Sequence, residues 1–551
     1  MKLWRWGLAG LAVLVAAGAL AWVFRFDLII LAARMRWPDI GPPREVAWSQ
    51  GPSVAPVGDR PPNIVFILAD DLGFNDITLN GGGVAGGAVP TPNIDAIARQ
   101  GVTFANGYAG NATCAPSRAA IMTGRYATRI GFEFTPAPIP FSRVVGSFRS
   151  PGALHPPRFD AEAAKSMPDD VDALALPTGE ITIAEMLRER GYHTVHLGKW
   201  HLGGTKGARP EDQGFDESLG FMAGGSMFLP KTHPDVVNSK QDFDPIDKFL
   251  WGALPFFVEF NGSPPFEPSG YMTDYLTDEA VQAIRANRNR PFFLYLAYNA
   301  PHTPLQATRE DYEALSQIED HRLRVYGAMI RNLDRNIGRV MAELKAQGLD
   351  DDTLVIFTSD NGGAHYVGLP DLNRPYRGWK ATFFEGGVHT PFFMRWPARL
   401  PAGAQFQTPV THVDIFATAA GAAGAPLPAD RPIDGVDLTP FLVGAAESEL
   451  ERPLYWRSGR YRMLLKDGWK LQVAQEPAKT WLFDLNTDPT ERTNLAEQRP
   501  DKVRELSAAL AELDGQMAQP LWPSVLSGVI PIDHPLGVAD KPTDEYVYWD
   551  N

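Results

Sequence analysis

Cysteine and positive charge are both scarce in this sequence. Cys114 is the one cysteine among 551 residues, so no disulfide can form within the chain. The 51 Lys and Arg residues are outnumbered by 65 Asp and Glu residues, which leaves a formal net charge of −14. This balance argues against a nucleic-acid partner, because binding to phosphates requires a basic face. Internal repeats are also missing from the sequence, which excludes a solenoid.

The first 36 residues predict export from the cytoplasm. Lys2 and Arg5 precede an apolar run from Trp6 to Phe24, an arrangement typical of a secretory signal. Ala19-Leu20-Ala21 offers a cleavage site, whereas the uncleaved run is nearly long enough to span a bilayer. We therefore expect a periplasmic or extracellular protein, and both a cleaved signal and an anchor through residues 6–24 stay open. In an oxidising compartment, a lone Cys114 without a partner indicates a chemical role.

Composition and pattern divide the remaining chain into four parts. Residues 37–60 are rich in Pro, Gly and polar side chains and predict a linker. Residues 61–445 alternate apolar strand-like and helical segments and form the predicted catalytic domain. Residues 446–525 contain short strand-like runs joined by hairpin turns, followed by a helix, and predict an antiparallel-sheet subdomain. Residues 526–551 are expected to form a Pro-rich tail.

Four short apolar runs in the catalytic domain predict strands that are buried on both faces, at residues 63–69, 194–197, 292–296 and 354–357. Helical patterns lie between them, at residues 181–190 and 321–345. The fold class is therefore α/β, with a large, mostly parallel sheet sandwiched by helices and a smaller C-terminal α+β subdomain. Polar clusters follow all four runs. Because ligands bind beyond the carboxyl ends of strands in such sheets, we expect these clusters to converge.

Oxygen-bearing side chains follow two of the predicted strands. Asp70 and Asp71 end the first, and Asp360 and Asn361 end the last. Singly, either pair is more often a turn or a helix cap. Together, three carboxylates and an amide suit a hard divalent cation such as Ca²⁺ or Mg²⁺.

Cationic and imidazole side chains occupy Gly- or Pro-marked loops near the same strands: Arg118, Lys199, His201, His302 and Lys380. A lone Lys or Arg is usually a solvated surface charge, and a lone His is usually structural. Several cations beside a metal site, however, describe a pocket for a tetrahedral oxyanion such as sulfate or phosphate.

The residues around Cys114 resemble the activation motif of the type I sulfatases, members of the alkaline phosphatase superfamily. The motif is Cys114-Ala115-Pro116-Ser117-Arg118, followed by Thr123-Gly124-Arg125. The resemblance continues through Gly198-Lys199-Trp200-His201, Gly378-Trp379-Lys380 and Glu385-Gly386-Gly387, and it covers about residues 60–500. One departure is His389, which stands where the family more often has Arg and puts the local packing in question.

The resemblance implies a sulfuric ester hydrolase of the arylsulfatase type, in which a formylglycine-generating enzyme converts Cys114 to formylglycine (3-oxoalanine). One hydroxyl of the hydrated aldehyde would attack sulfur, and the second would then expel sulfate. It also implies a Ca²⁺ or Mg²⁺ site formed by Asp70, Asp71, Asp360, Asn361 and residue 114. Arg118 would hold the hydrate, Lys199 and His201 would contact the hydrate and sulfate, and His302 and Lys380 would bind sulfate oxygens. Either His302 or Lys380 would protonate the leaving oxygen.

Two alternatives remain at this level. A phosphonate monoester or phosphodiester hydrolase would use the same formylglycine and metal, and an inactive sulfatase-like protein would bind without turnover. The substrate, a small-molecule or carbohydrate sulfate ester, is not readable from the sequence. Two long loops at residues 134–176 and 224–271 are expected to wall its pocket. They carry the aromatic residues Phe141, Phe148, Phe228, Phe249, Trp251, Phe256, Phe257 and Phe260.

Overall fold

The structure is a computed structural model that describes residues 37–55, 60–79, 81–150, 152–168 and 170–551, with scattered positions before residue 36. The predicted export signal lies almost wholly outside the described residues. Within the part of the chain that is described, no helix is long and apolar enough to cross a membrane. Residues 37–55, predicted as a linker, lie against the catalytic domain: Trp48 Nε1 donates to Glu279 Oε2 at 2.8 Å, and the Ser49 amide donates to Glu217 Oε1 at 2.9 Å.

Within the described residues, nine strands form the central sheet. They are β1 (Asn63–Ala69), β2 (Val102–Phe104), β5 (His193–Lys199), β6 (Glu217–Phe221), β8 (Glu259–Phe260), β9 (Phe292–Ala297), β11 (Thr353–Ser359), β12 (Phe392–Arg395) and β13 (Ala404–Phe406). Their order across the sheet is β13-β2-β12-β11-β1-β9-β5-β6-β8. The five strands from β11 to β6 are parallel, and antiparallel pairs flank them at β11–β12 and β6–β8. The predicted mostly parallel sheet is confirmed.

The eleven other strands in the described part of the chain belong to smaller sheets. They are β3 (Gly107–Tyr108), β4 (Arg158–Phe159), β7 (Val236–Ser239), β10 (Leu305–Thr308), β14 (Val410–Thr411), β15 (Leu454–Ser458), β16 (Tyr461–Lys466), β17 (Trp469–Gln475), β18 (Ala478–Asp484), β19 (Leu526–Pro531) and β20 (Tyr546–Asp550). Strands β15 to β18 make the predicted antiparallel C-terminal sheet in sequence order.

Helices cover both faces of the central sheet. They are α1 (Val84–Gly87), α2 (Pro92–Arg99), α3 (Cys114–Thr123), α4 (Ile139–Ser147), α5 (Ile183–Glu189), α6 (Pro245–Ala253), α7 (Met272–Asn287), α8 (Arg309–Glu313), α9 (His321–Ala346), α10 (Glu385–Val388), α11 (Val413–Ala423), α12 (Thr439–Leu442) and α13 (Pro500–Asp514). Alternate residues of β1 enter opposite cores: Val65 and Ile67 face α2, α7 and α9, whereas Phe66 and Leu68 face α3, α5 and α11.

The segment expected to be a tail contributes structure instead. Strands β19 and β20 pair antiparallel, and β19 pairs with β4, so residues 526–550 close a three-stranded sheet. The ladder partners of β19 are more than 350 residues earlier at β4, and no local pattern in the sequence reports so distant a pairing. Pro535, Gly537 and Pro542 lie between β19 and β20, whereas Gly528 and Pro531 are part of β19 itself.

A buried ion cluster joins the C-terminal sheet to the catalytic domain. Lys470 Nζ, on β17, lies 2.7 Å from Glu385 Oε1 and 2.9 Å from Glu491 Oε1, and all three side chains are fully buried or nearly so. Burial would raise the pKa of Glu385, but Lys470 and His389 outweigh it and lower the pKa to about 2. Burial raises the pKa of Glu491 to about 7. One ammonium thus compensates two carboxyl groups between the two parts of the chain.

We expect Lys470→Met to lower the free energy of unfolding by about 3–5 kcal/mol, because the substitution leaves buried carboxylates without their cation. Urea denaturation followed by tryptophan fluorescence measures the change. The matched control is Lys345→Met, at an exposed lysine in the last turn of α9, which should change the free energy by about 0.5 kcal/mol or less. An equal effect of the two substitutions would contradict the proposed role of the cluster.

Candidate active site

The carboxyl ends of four neighbouring parallel strands bring the predicted polar clusters together. Asp70 and Asp71 follow β1, Asp360 and Asn361 follow β11, Lys199 ends β5, and His302 follows β9. The register aligns these ends, since Ala69 pairs with Ser359 and Leu68 pairs with Ala297. The expectation that the clusters converge at one edge of the sheet is met by the geometry.

Cys114 is the first residue of α3 and lies between the carboxylates and a lysine. Its Sγ atom lies 3.5 Å from Asp70 Oδ1 and 3.7 Å from Asp71 Oδ1. Lys380 Nζ lies 3.1 Å from the same sulfur. Burial and the neighbouring Asp360 raise the pKa of the Cys114 thiol well above its ordinary value. The unmodified side chain is therefore a protonated thiol at neutral pH, which is a poor nucleophile.

Each carboxylate of the site has a cationic partner. Lys199 Nζ donates to Asp70 Oδ2 at 2.7 Å, and Lys380 Nζ donates to Asp71 Oδ1 at 2.7 Å. Arg118, one turn into α3, donates from Nε to Asp360 Oδ2 at 2.9 Å. The three negative charges of the carboxylates are balanced by the three positive charges of their partners, so the net charge of the site is close to zero. A bound dication would make it positive and attractive to an anionic ester.

The pKa of Asp71 reflects its crowded surroundings. Burial would raise the pKa of its carboxyl group, but Lys380, His302 and Lys199 outweigh burial and hold the pKa below its ordinary value. Asp71 is therefore ionised across the neutral range. An ionised, buried carboxylate beside other oxygen donors is what a hard cation requires.

Asn361 supplies the clearest sign that the site fits a metal ion. Its Nδ2 group donates to Asp71 Oδ1 at 2.7 Å and to the Gly362 carbonyl at 3.0 Å. Its buried Oδ1 atom has no hydrogen-bond partner among the described residues. A buried amide oxygen without a donor is costly, and a cation at this position would satisfy it.

A buried group of Asp70, Asp71, Cys114 and His302 brings its ligand atoms within 4.8 Å of one another, so these residues could hold a metal ion. The donor set of Asp70, Asp71, Asp360 and Asn361 is entirely oxygen, and therefore it fits Ca²⁺ or Mg²⁺ better than Zn²⁺.

Two histidines complete the edge of the site. The His302 Nδ1 atom lies 2.5 Å from the Thr303 carbonyl, while Nε2 lies 3.7 Å from Asp71 Oδ2. Burial lowers the pKa of His302 to about 3, so the ring is neutral in the absence of a bound anion. The pKa of His201 is likewise lowered by burial and by Lys199. Its Nδ1 atom has no partner within the described part of the chain.

Three residues in or beside the site have a strained backbone conformation. Asp71, His201 and Ala381 adopt positive φ values of 60°, 63° and 67° without being glycine. Such conformations cost on the order of 1–3 kcal/mol each and persist where the surrounding structure holds a functional group in place. The strain is located directly beside Lys380 and the metal-ligand candidates.

Tyr366 was missed by the sequence reasoning. Its hydroxyl donates to Asp71 Oδ2 at 2.8 Å and accepts from Lys380 Nζ at 3.1 Å. It follows Asn361 by five residues in the loop after β11, and that position is the one signal that could have identified it. His389, whose packing was in question, lies between Glu385 Oε2 at 2.7 Å and the Ala105 carbonyl at 3.0 Å.

A cavity of about 330 Å³ opens above the site, and Cys114, His201, His302, Tyr366 and Lys380 form its floor. Both predicted loops contribute to its walls, but only Phe141 and Phe249 of the eight named aromatic residues line it. They pack edge to face with ring centroids 5.2 Å apart. Phe228, Trp251 and Phe256 are buried in the main core instead.

The geometry is the one expected of a hydrolase for esters of a tetrahedral oxyanion, with a buried Cys114 beside an oxygen-donor group that could hold a metal ion and several cations on one sheet edge. Comparison with known families is more specific. Residues 62–425 match the family model described as Sulfatase, and residues 377–516 match N-sulphoglucosamine sulphohydrolase, C-terminal. The chain belongs to the sulfatase family, within the alkaline phosphatase superfamily, and is a sulfuric ester hydrolase.

Individual relatives agree on the family and differ in substrate. The chain is 32% identical to N-acetylgalactosamine-6-sulfatase of Mus musculus over 74% of this chain and 71% of that protein. It is 31% identical to steryl-sulfatase of Homo sapiens over 78% of this chain and 77% of that protein. Among solved structures, Ps i-CgsB in complex with k-i-k-neocarrahexaose superposes with a TM-score of 0.69 at 31% identity, covering 84% of this chain and 95% of that one.

Proposed function

We propose that this sulfatase acts through formylglycine made from Cys114, with a divalent cation, most simply Ca²⁺, held by Asp70, Asp71, Asp360 and Asn361. The observation that supports it best is the position of Cys114, whose sulfur lies within 3.7 Å of two carboxylates and a lysine at the start of a buried helix. A hydroxyl in place of that sulfur would stand beside the cations that a sulfate ester needs.

The side chains of the site would have separate roles in this reaction. A bound dication would supply positive charge and lower the pKa of a hydroxyl on residue 114. Arg118 holds Asp360 with Nε and contacts the Lys199 carbonyl with a second nitrogen at 2.8 Å, and so it fixes the floor of the site. Lys199 and Lys380 provide fixed charges for sulfate oxygens.

Covalent catalysis at residue 114 has two steps. One hydroxyl of the hydrated aldehyde attacks sulfur, and the S–O bond to the alcohol breaks. The second hydroxyl then loses its proton, the remaining C–O bond to sulfate breaks, and the aldehyde re-forms. His201 lies on the cavity floor and is assigned as the base for this second step.

His302 is assigned as the donor of a proton to the leaving oxygen. Lys380 Nζ already contacts both Asp71 oxygens, the Tyr366 hydroxyl and Cys114 Sγ, so its protons are engaged. The His302 Nε2 atom makes no hydrogen bond to the described residues, and His302 forms part of the cavity floor. An arriving sulfate anion would favour the charged imidazolium and raise its pKa.

Maturation and location belong to the same proposal. A formylglycine-generating enzyme would modify Cys114, and the apolar run of residues 6–24 would direct the chain out of the cytoplasm, as a cleaved signal or as an anchor.

The test compares kcat/KM for 4-nitrophenyl sulfate, bis(4-nitrophenyl) phosphate and 4-nitrophenyl phenylphosphonate on one enzyme preparation. We expect the sulfate to be the best substrate by about 100-fold or more, because a sulfate monoester presents three unesterified oxygens to Lys199, Lys380 and His302, whereas each phosphorus ester presents two and places a second organic group among these side chains. A large excess on either phosphorus ester would overturn the sulfatase mechanism in favour of a phosphonate or phosphodiester hydrolase.

A further inference from the structure

The cavity above the site has a polar floor and apolar walls. Three elements build the walls: α4, α6 and the strand pair β19–β20. Their lining side chains are Phe141 and Val145, Ile246, Phe249 and Leu250, and Ile530 and Trp549. Leu526, Gly528 and Ile530 line it together because alternate residues of a strand share one face.

These walls carry few polar side chains that could bind a ligand. Asn551 is bonded to the backbone of Thr135, since the Thr135 amide donates to Asn551 Oδ1 at 3.2 Å and Asn551 Nδ2 donates to the Thr135 carbonyl at 3.3 Å, whereas the Thr135 hydroxyl has no partner among the described residues. Asp172 and His365 are the other ionisable side chains of the walls among the described lining residues. A sugar ring carries hydroxyl groups in several directions, and each one buried without a partner costs about 1–3 kcal/mol.

The strand pair lies outside the part of the chain that matches known sulfatase models. Those matches end at residues 425 and 516, whereas β19 begins at Leu526. This wall therefore lies outside the two family-model matches, on the substrate side of the cavity. The volume of about 330 Å³ is near the lower end of the range for ligand pockets, which suits one compact ring system.

We propose that the alcohol part of the substrate is an apolar ring system of aryl or alicyclic character, bound between α4, α6 and the β19–β20 strand pair, and that sulfated sugars are discriminated against. The inference rests on the proposed sulfatase function and adds the substrate class. Because the walls continue without interruption into the floor that holds Cys114 and Lys380, the ester oxygen and the ring occupy one cavity.

The test uses two primary alkyl sulfates with matched leaving groups: cyclohexylmethyl sulfate and galactose 6-sulfate. Both carry a six-membered ring one carbon from the ester oxygen, so the difference between them is the polarity of the ring. We expect kcat/KM to be about 100-fold higher for the apolar ester, and calorimetry with the Cys114→Ala protein to show tighter binding of it.

The Phe141→Ala variant tests whether α4 forms part of the wall that binds the ring. Phe141 is half-buried, so its loss should leave the fold intact, and it should lower kcat/KM for cyclohexylmethyl sulfate about ten- to a hundred-fold with little change for the sugar ester. The matched control is Phe148→Ala, at the end of the same helix but outside this cavity, which should change neither.

Two results would overturn the substrate class: a preference of the wild-type enzyme for galactose 6-sulfate, or an equal loss on both esters in Phe141→Ala. These two results can be distinguished from a failure of the proposed sulfatase function. If 4-nitrophenyl sulfate were not hydrolysed, or were hydrolysed equally well by Cys114→Ala, then the proposed catalytic role of residue 114 would be wrong.

Discussion

Replacing Cys114 by alanine should lower kcat/KM for 4-nitrophenyl sulfate by about 10⁴-fold or more, because it removes the group from which the nucleophile is made. Alanine occurs at neighbouring positions of α3 and is a good helix former, so the helix should persist. Stopped assays with purified, metal-loaded protein measure the rate. Equal denaturation midpoints for the two proteins would show that lost activity reflects lost chemistry.

Cys114→Ser provides a sharper variant of the same test. A serine hydroxyl would stand where the sulfur now lies, but its sulfate ester has no second hydroxyl to expel sulfate. We expect release of about one equivalent of alcohol per active site, followed by arrest, with a sulfo group detectable on the peptide by mass spectrometry. In the wild-type protein, the same peptide should carry formylglycine. An unmodified, alkylatable thiol in fully active enzyme would contradict the mechanism.

Asp71→Asn should have the second largest effect. Asp71 contacts Lys380, Asn361 and Tyr366 at once, and it is a ligand candidate for the dication. Neutralising it removes a metal ligand and leaves the buried Lys380 ammonium without its carboxylate. We expect kcat/KM to fall about 10³-fold and bound Ca²⁺, measured by elemental mass spectrometry after dialysis, to fall well below one equivalent.

The control for this substitution is Asp278→Asn, at an exposed carboxylate on α7 that pairs with Arg339. It makes the same chemical change on the surface and should alter neither activity nor metal content. Chelation of the wild-type protein should reproduce the loss of activity reversibly. Full activity of Asp71→Asn without added metal would show that the site is not a metal centre.

The sequence predicted the central sheet and the members of the site because their signals are local. A buried parallel strand such as β1 is visible in the sequence as a short apolar run. Asp70 is the residue that directly follows this run. Cys114, Lys199 and Lys380 stand in motifs that are recognisable one by one. The structure places all three against Asp70 or Asp71, because the carboxyl ends of the parallel strands meet at one edge.

What the sequence could not predict depends on contacts between distant segments. Tyr366 bears no motif, and its role follows from the fold of the loop after β11 around Asp71. The β19–β20 pair was expected to be a tail, because its pairing with β4 leaves no local pattern. Likewise, the eight aromatic residues of the two long loops look alike in sequence, and only the packed structure separates the two that line the cavity from those in the core.

The burial of α3 has a consequence for the timing of maturation. Every residue of this helix is buried, and Cys114 is 2% exposed in the finished fold. Most of the groups that enclose it, from Lys199 through Lys380 to the β19–β20 wall, are synthesised later than Cys114. Under the maturation proposed above, an emerging chain would therefore offer the thiol to the modifying enzyme before the residues that enclose it have folded. We therefore expect modification of residue 114 to precede folding of the segments that follow it, so the order of residues along the chain would set when the modifying enzyme can act.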